Sequence, residues 1–368
     1  MENILIITNA LGGMYNFRKE LVERLVKDGY KVFIAAPLNH KSFITLYFQE
    51  LGIDLVNVSF NRKGFNPFSD LSLMLSYRNL IKKRNIDAVL TYTIKPNIYG
   101  GLAARMMKVP FIPNITGLGT AVENKGLLQK ITVFLYRRAL KKAQCVFFQN
   151  EENLTFMQDK GIVKDNVKLL PGSGVNLEHF TPLPYPPGET LHFLFIGRLM
   201  KDKGIEEYLD AIKRIKKSYP SVEFHILGGY EDTHYAQRVE AMENQALLNY
   251  HGRVEDVVPY LKQAHAVVHP TYHEGMSNVL LEASASARPV IASNIPGCKE
   301  TFDEGVSGFG FEPKNSDALI KTIEKFMNLP YEQKRKMGLK SREKMEQTFD
   351  RNIVVEEYLK TINTLKGR

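Results

Sequence analysis

The chain has 368 residues, of which 44% are hydrophobic and 24% charged, and a formal net charge of +9. That length exceeds one ordinary core and suits two domains of roughly 100–200 residues each, and no run of about 18 consecutive apolar residues is present to span a bilayer. The excess charge sits in one half: residues 1–180 hold 24 Lys and Arg against 14 Asp and Glu, whereas residues 181–368 hold 25 against 26. The first half is therefore expected to meet something anionic, such as a phosphate-bearing substrate, a membrane surface or nucleic acid.

The opening MENILIITNALGG has an apolar run of four residues, Ile4 to Ile7. It starts acidic and lacks the basic and long apolar stretches of a signal peptide, so it predicts a first strand. Further apolar, β-branched runs follow at 31–36, 88–93, 109–115 and 145–150, separated by amphipathic stretches at 17–28, 71–84 and 125–142. This alternation predicts a parallel, doubly wound sheet. TPLPYPPGE (181–189) packs four prolines and a glycine into nine residues, which no helix or central strand tolerates, and marks the expected linker. The rhythm then restarts with strands at 191–197, 222–229, 248–251, 266–270 and 289–293, and helices at 203–218, 233–247, 256–263 and 278–287, followed by helices to the end. The expected domains are 1–180 and 181–349, with a last helix over 350–368. Two α/β, Rossmann-like domains in tandem place ligands beyond the carboxyl ends of strands, in a cleft the two share. Cys145 and Cys298 stand in no CxxC or metal-type spacing, and a reducing cytoplasm is the simplest expectation.

The chemistry is looked for in the turns after strands. In GRLMKDKG (197–204), Gly197 lets the backbone turn, and Arg198 and Lys203 flank a short loop that opens a helix. Arg binds phosphate oxygens as a fork, Lys as a point charge, and a helix start adds N–H donors, so the loop suits a diphosphate; a solvated basic turn has the same composition. In HEGMSNVLLE (273–282), Ser277 or Asn278 can cap a helix, leaving Glu274 in the loop and Glu282 in the second turn. Gly275 permits close backbone approach, and the amides from Gly275 through Met276, Ser277 and Asn278 to Val279 form a second anion site. The two carboxylates can accept hydrogen bonds from sugar hydroxyls at either end of a nucleotide sugar, although Glu282 is equally a favourable charge near a helix start.

Taken together, the Gly-Arg and Lys-Gly loop and the two glutamates separated by seven residues resemble the family 4 retaining glycosyltransferases of GT-B architecture. The resemblance implies two Rossmann-like doubly wound parallel-sheet domains facing a central cleft. It also implies that Arg198 and Lys203 bind the donor diphosphate, Glu282 the ribose and Glu274 the transferred sugar, with Glu274, Arg198 and Lys203 carrying catalysis. HGRVEDV (251–257) matches the family's base-binding turn, making Arg253 and Val254 contacts to a uracil. NALGGMYNFRKEL (9–21) matches its first turn, where Gly12 and Gly13 admit the donor phosphate and Asn16 and Arg18 face the acceptor. With NPF (66–68), ITGLGT (115–120) and GCKE (297–300), the pattern resembles bacterial transferases that extend undecaprenyl-diphosphate-linked sugars. The implied partners are a UDP-sugar and an undecaprenyl-diphosphate-linked saccharide, in cell-surface polysaccharide or glycan synthesis, with retention of configuration by same-face attack and no metal or other cofactor. One departure stands out: many members carry a histidine in the amino-terminal cleft, but no histidine lies between His40 and His179. Asn114, Thr116 and Gly117 occupy that region, Thr116 and Gly117 joining Asn16 and Arg18 as the implied acceptor-side residues, which leaves the sugar unspecified.

KGLLQKITVFLYRRALKK (125–142) carries six cations interleaved with Leu127, Leu128, Ile131, Phe134 and Leu135. It reads either as a helix lying on anionic lipid at the inner face of the cytoplasmic membrane or as an ordinary core helix with solvated charges. His265, His269 and His273 repeat every four residues, but on a strand that spacing does not converge on a metal, and packing or loop roles are expected. Two rivals remain. A phosphorylase or nucleotide-sugar epimerase shares the fold, and a nucleic-acid-binding protein would use the basic half, although no recognition motif supports it.

Overall fold

The computed structural model describes residues 2–40, 42–59, 66–118, 126–188 and 190–365. Gly119 and Thr120 of ITGLGT, Lys125 of the basic stretch and Glu189 of the proline segment lie outside the described residues. The chain forms two compact units, Met1–Ser173 with Arg351–Arg368, and Gly174–Asp350. The division falls ahead of the proline segment expected as linker, which belongs to the second unit. Prolines forbid a ladder there but leave carbonyls: the buried Arg288 guanidinium donates to those of Leu183 at 3.1 Å and Pro184 at 2.7 Å.

In the first unit, β1 (Asn3–Ile7), β2 (Lys31–Ala36), β3 (Asp54–Asn57), β4 (Ala88–Tyr92), β5 (Phe111–Ile115), β6 (Val146–Phe148) and β7 (Val167–Leu169) form one parallel sheet in the order β3-β2-β1-β4-β5-β6-β7. Helices α1 (Leu11–Lys27), α2 (Phe43–Glu50), α3 (Pro67–Lys83), α4 (Gly101–Met107), α5 (Leu127–Leu140) and α6 (Glu151–Asp159) accompany it. The central strands β1 and β4 are buried almost throughout, as a parallel strand covered on both faces must be. Edge strands β3 (DLVN) and β7 (VKL) escape the sequence pattern because an edge needs no continuous apolar run. Helix α1 starts six residues before the predicted stretch, so Gly12 and Gly13 stand in its first turn.

In the second unit, β8 (His192–Ile196), β9 (Glu223–Leu227), β10 (Asn249–Tyr250), β11 (Ala266–His269), β12 (Val290–Ser293) and β13 (Gly308–Phe311) run in the order β10-β9-β8-β11-β12-β13, again all parallel. Its helices are α7 (Ile205–Ser218), α8 (His234–Glu243), α9 (Val258–Gln263), α10 (Asn278–Ala285), α11 (Ser316–Met327) and α12 (Tyr331–Lys344). Helix α7 buries Ile205, Tyr208, Leu209, Ile212 and Ile215, the repeat of an amphipathic helix on a sheet. Strand β13 corrects the expectation of helices alone after 293. Its sequence GFGF lacks a β-branched signal, but a Cβ at Gly308 would lie 2.7 Å from the Val290 carbonyl oxygen, so glycine is what lets this strand approach β12.

The chain then returns to the first unit as α13 (Arg351–Asn363), which buries Val354, Val355, Tyr358, Leu359 and Ile362 in the same core as β1, β2 and β4. Asn114 on β5 donates to the Tyr358 hydroxyl at 2.7 Å, and Arg351 reaches Glu20 on α1 at 2.9 Å. Asn114, expected near a sugar, is fully buried in this contact.

Across the second sheet runs a ladder of four imidazoles. The His192 amide donates to His265 Nδ1 at 3.1 Å, His192 Nδ1 meets His225 Nε2 at 3.0 Å, and His225 Nδ1 meets His251 Nε2 at 3.0 Å. Successive rings stack with centroids 5.3–5.7 Å apart. Burial lowers all four below the ordinary histidine value, with His225 and His265 pushed to about 4; at His225 the neighbouring His192 and His251 add to this. The unfolded chain, titrating near 6.5, therefore takes up protons that the folded one refuses. Stability from the ladder is complete above about pH 6.5 and is lost as pH falls toward 4. The melting temperature should drop between pH 7.5 and 5, and drop less in His225→Phe; equal falls in calorimetry would exclude the ladder as the cause.

Candidate active site

Two close backbone approaches shape the loop after β8. Gly197 donates its amide to the Leu227 carbonyl at 2.9 Å, and a Cβ at Gly228 would stand 1.8 Å from the Gly197 carbonyl oxygen. The chain then makes a short turn, Lys201–Lys203, and enters α7 through Gly204, whose φ is +70°. A Cβ there would lie 1.9 Å from the Pro270 carbonyl oxygen, so only glycine brings this loop against the end of β11. The Tyr272 amide completes the contact, donating to the Asp202 carbonyl at 2.9 Å.

The result is that Lys203 arrives at Glu274. Lys203 Nζ lies 2.5 Å from Glu274 Oε1, and His269 Nε2 lies 3.1 Å from the same oxygen. Burial alone would push the Glu274 carboxyl up, but the His269 hydrogen bond and the Lys203 charge outweigh it and hold the group at about 2. Burial keeps His269 below its ordinary value, partly opposed by its hydrogen bond to Glu274. The site at neutral pH thus holds a cation, an anion and a neutral imidazole.

The backbone under Glu274 is fixed by the loop after β12. Gly297, with φ +81°, approaches so closely that a Cβ would lie 2.8 Å from the carbonyl oxygens of both Glu274 and Gly275. Its carbonyl accepts the Ser277 amide at 2.8 Å, and its own amide donates to Glu300 at 2.8 Å. The GCKE segment is therefore a brace for the glutamate loop.

Of the sequence-predicted residues, the fold brings Lys203 and Glu274 together and leaves Arg198 apart. Arg198 pairs with Glu231 at 3.0 Å on the surface, its side chain 59% exposed. Glu282 is half-buried in the second turn of α10, and Gly275 and Asn278 are half-buried. Met276 is packed in the core, and Ser277 is buried with its hydroxyl accepting from the Leu280 amide, so neither side chain faces outward. With the Ser277 amide given to Gly297, the anion site expected from Gly275 to Val279 is smaller than the sequence implied. Arg253 is exposed, and Val254 packs against the core beyond Gly252, whose carbonyl accepts from the Gly228 amide at 2.8 Å.

In the first unit, a Cβ on Gly13 would meet nothing within 4 Å, so the protein's own packing does not require glycine there. Asn16 is exposed, while Thr116 and Gly117 are half-buried beyond β5. Arg18, expected to face an acceptor, is instead 5% exposed: its guanidinium lies over the Tyr92 ring at 5.3 Å and donates to the Phe17 carbonyl at 2.7 Å. The helical repeat from Leu11 through Met14 and Arg18 to Leu21 puts it on the core-facing side of α1.

Sequence reasoning missed His269, which it assigned to packing. The available signal was its place as the last residue of a central strand, five residues before Glu274. Among the described residues, no group of three or more His, Cys, Asp or Glu side chains is arranged to hold a metal ion.

Two family models match the chain: "Glycosyl transferase 4-like" over residues 4–150 and "Glycosyl transferases group 1" over residues 185–344. The N,N'-diacetylbacillosaminyl-diphospho-undecaprenol alpha-1,3-N-acetylgalactosaminyltransferase of Campylobacter jejuni is 26% identical, over 96% of both chains. The UDP-Gal:alpha-D-GlcNAc-diphosphoundecaprenol alpha-1,3-galactosyltransferase of Escherichia coli is 27% identical over 71% of each. Anabaena HepE, solved with UDP and glucose, superposes with a TM-score of 0.81 at 16% identity, over 99% of this chain and 100% of that one, and so shares its fold.

The tightness at Gly297 gives a direct check on this geometry. Gly297→Ala should displace the Glu274 loop and cost roughly 1–3 kcal/mol, the range for a strained backbone position; urea unfolding with an unchanged midpoint would contradict the close approach.

Proposed function

Since the chain belongs to the glycosyl transferases of these two models, 4-like in its first half and group 1 in its second, we propose that it moves a hexose or N-acetylhexosamine from a UDP-sugar to a saccharide carried on undecaprenyl diphosphate. The observation that carries this reading is the Lys203–Glu274 pair, a cation and an ionised carboxylate presented by two loops at strand ends of one sheet. The names of the Campylobacter and Escherichia relatives, which specify diphospho-undecaprenol-linked acceptors, support the acceptor class, and the Escherichia name supports a UDP donor.

The costly event is departure of UDP, which builds negative charge on the diphosphate. Lys203, at the loop end, answers that charge once the bound donor has drawn it from Glu274. Arg198 can join it by giving up Glu231, since exposed pairs of this kind are worth only about 0–1 kcal/mol. Glu274, held near the bottom of the carboxylate range, stays ionised through neutral pH and so accepts hydrogen bonds from sugar hydroxyls instead of donating a proton. With no side chain assigned as nucleophile, retention follows from same-face attack in which the departing phosphate takes the acceptor's proton. Glu282 and Arg253 with Val254 complete the donor assignment as ribose and uracil contacts. The cations supply the positive charge of the reaction, and no metal or other cofactor is invoked.

A panel of UDP- and GDP-sugars offered with an undecaprenyl-diphosphate-linked saccharide, read by mass spectrometry, tests this. Transfer is expected from a UDP-sugar with retained anomeric configuration, and Lys203→Ala and Glu274→Ala should each lower it at least a hundredfold. Undiminished transfer in both variants would overturn the site.

We further propose that the first unit docks on anionic lipid at the inner face of the cytoplasmic membrane. Among the described residues no helix is long and apolar enough to cross a membrane. On α5, however, Leu127 is 74% exposed and Phe134 52%, beside Lys130, Arg137 and Arg138, and the helix contains no acidic residue. Its buried positions are Thr132, Tyr136, Ala139 and Leu140, so the core takes the other side of the helix. Phe68 and Leu71 on α3 of the same unit are exposed as well. Sedimentation with vesicles should show binding to phosphatidylglycerol-containing lipid that salt and a Leu127→Asp/Phe134→Asp double variant both weaken; equal binding by the double variant would remove α5 from the contact.

A further inference from the structure

His269 touches the centre of the site from below. It ends β11 and is 2% exposed, so strand and core fix its ring. Its Nε2 contacts Glu274 Oε1, and its Nδ1 is buried with no hydrogen-bond partner among the described residues. A second N–H placed on Nδ1 would be buried unsatisfied, which selects the neutral ring with its proton on Nε2, donated to the carboxylate.

Lys203 and His269 hold the same oxygen from unlike footings. Lys203 is a flexible side chain on a surface turn, its side chain 21% exposed, and an arriving diphosphate competes for its ammonium. His269 has no such freedom. When Lys203 turns to a diphosphate, Glu274 loses its cation in a largely buried setting that favours the protonated form, while His269 stays on the same Oε1.

We propose that His269 is a positioning residue that keeps Glu274 oriented and ionised while Lys203 exchanges that carboxylate for the donor diphosphate. The proposal rests on the reading of Lys203 as a diphosphate ligand. It adds a division of labour in which the cation is mobile and the imidazole is the fixed contact. His269 itself touches neither sugar nor phosphate; it acts through Glu274.

Two amide substitutions separate this role from mere filling of space. The nitrogen of a Gln side chain reaches the position of an imidazole Nε2, whereas that of Asn stops at Nδ1. His269→Gln should therefore keep kcat within about threefold of the parent. His269→Asn should lose at least tenfold in kcat with donor KM changed less than threefold, and its acid limb of kcat against pH should move up by a unit or more, as Glu274 gains protons more readily. Equal losses in both variants with the acid limb unmoved, or full activity in His269→Asn, would overturn the proposal.

A measurement on the full chain without donor separates this from failure of the functional reading. Two-bond 15N–1H spectra of the imidazoles, with His269 assigned by the signals lost in His269→Gln, should show one Nε2–H tautomer from pH 5 to 8. An Nδ1–H tautomer, or a ring titrating within that range, refutes the positioning role even where no donor is turned over. The Nε2–H signature together with absent transfer faults the substrate assignment instead, leaving the contact itself established.

Discussion

A carboxylate must stay charged in a place largely withdrawn from water, and much of the second unit is arranged around that demand. Glu274 would be driven toward its neutral form by burial alone. It stays ionised because one of its oxygens receives a lysine from the loop after β8 and a histidine from the end of β11. Each donor has a structural precondition. Lys203 arrives only because Gly204 lets its turn press on Pro270, and Glu274 stays in reach only because Gly297 comes up beneath its carbonyl. Three strand ends and two left-handed glycines thus converge on a single oxygen atom.

The same interaction bears on chemistry. A carboxyl held at about 2 is a poor proton donor at neutral pH, so Glu274 is suited to accepting hydrogen bonds and balancing charge, not to donating a proton. The surface pair of Arg198 and Glu231 belongs to a different regime: exposed, screened and weak, it constrains little and can be exchanged. Two Arg/Lys–Glu pairs in one loop system therefore have opposite meanings, and burial distinguishes them.

Much of this was legible before any coordinates. The alternation of β-branched runs with amphipathic stretches is a local signal, and it located most strands of both sheets; the Gly-Arg and Lys-Gly loop and Glu274 lie just beyond strand ends, with Glu282 in the helix that follows. What stayed hidden depends on tertiary context. GFGF carries no strand signal until a neighbouring strand requires glycine at 308, and the edges β3 and β7 are too short and polar to register. Arg18 and Asn114 looked like candidates for a ligand because they are polar residues near matched motifs, yet the helix phase of α1 and the return of α13 bury both. His269 was passed over for the opposite reason: a buried histidine on an apolar strand reads as packing, and only the loop five residues on shows what its ring holds.

The path of the chain has a consequence for synthesis. The second unit is contiguous, but the core of the first is closed by α13, which is translated after the whole of the second unit. On the ribosome the amino-terminal sheet must wait with the site for Val354, Tyr358 and Ile362 uncovered until α13 emerges. The usual order of domain completion, amino-terminal first, is therefore reversed: the second unit matures earlier, and a nascent chain stalled before residue 351 carries an open apolar seam for chaperones to shield.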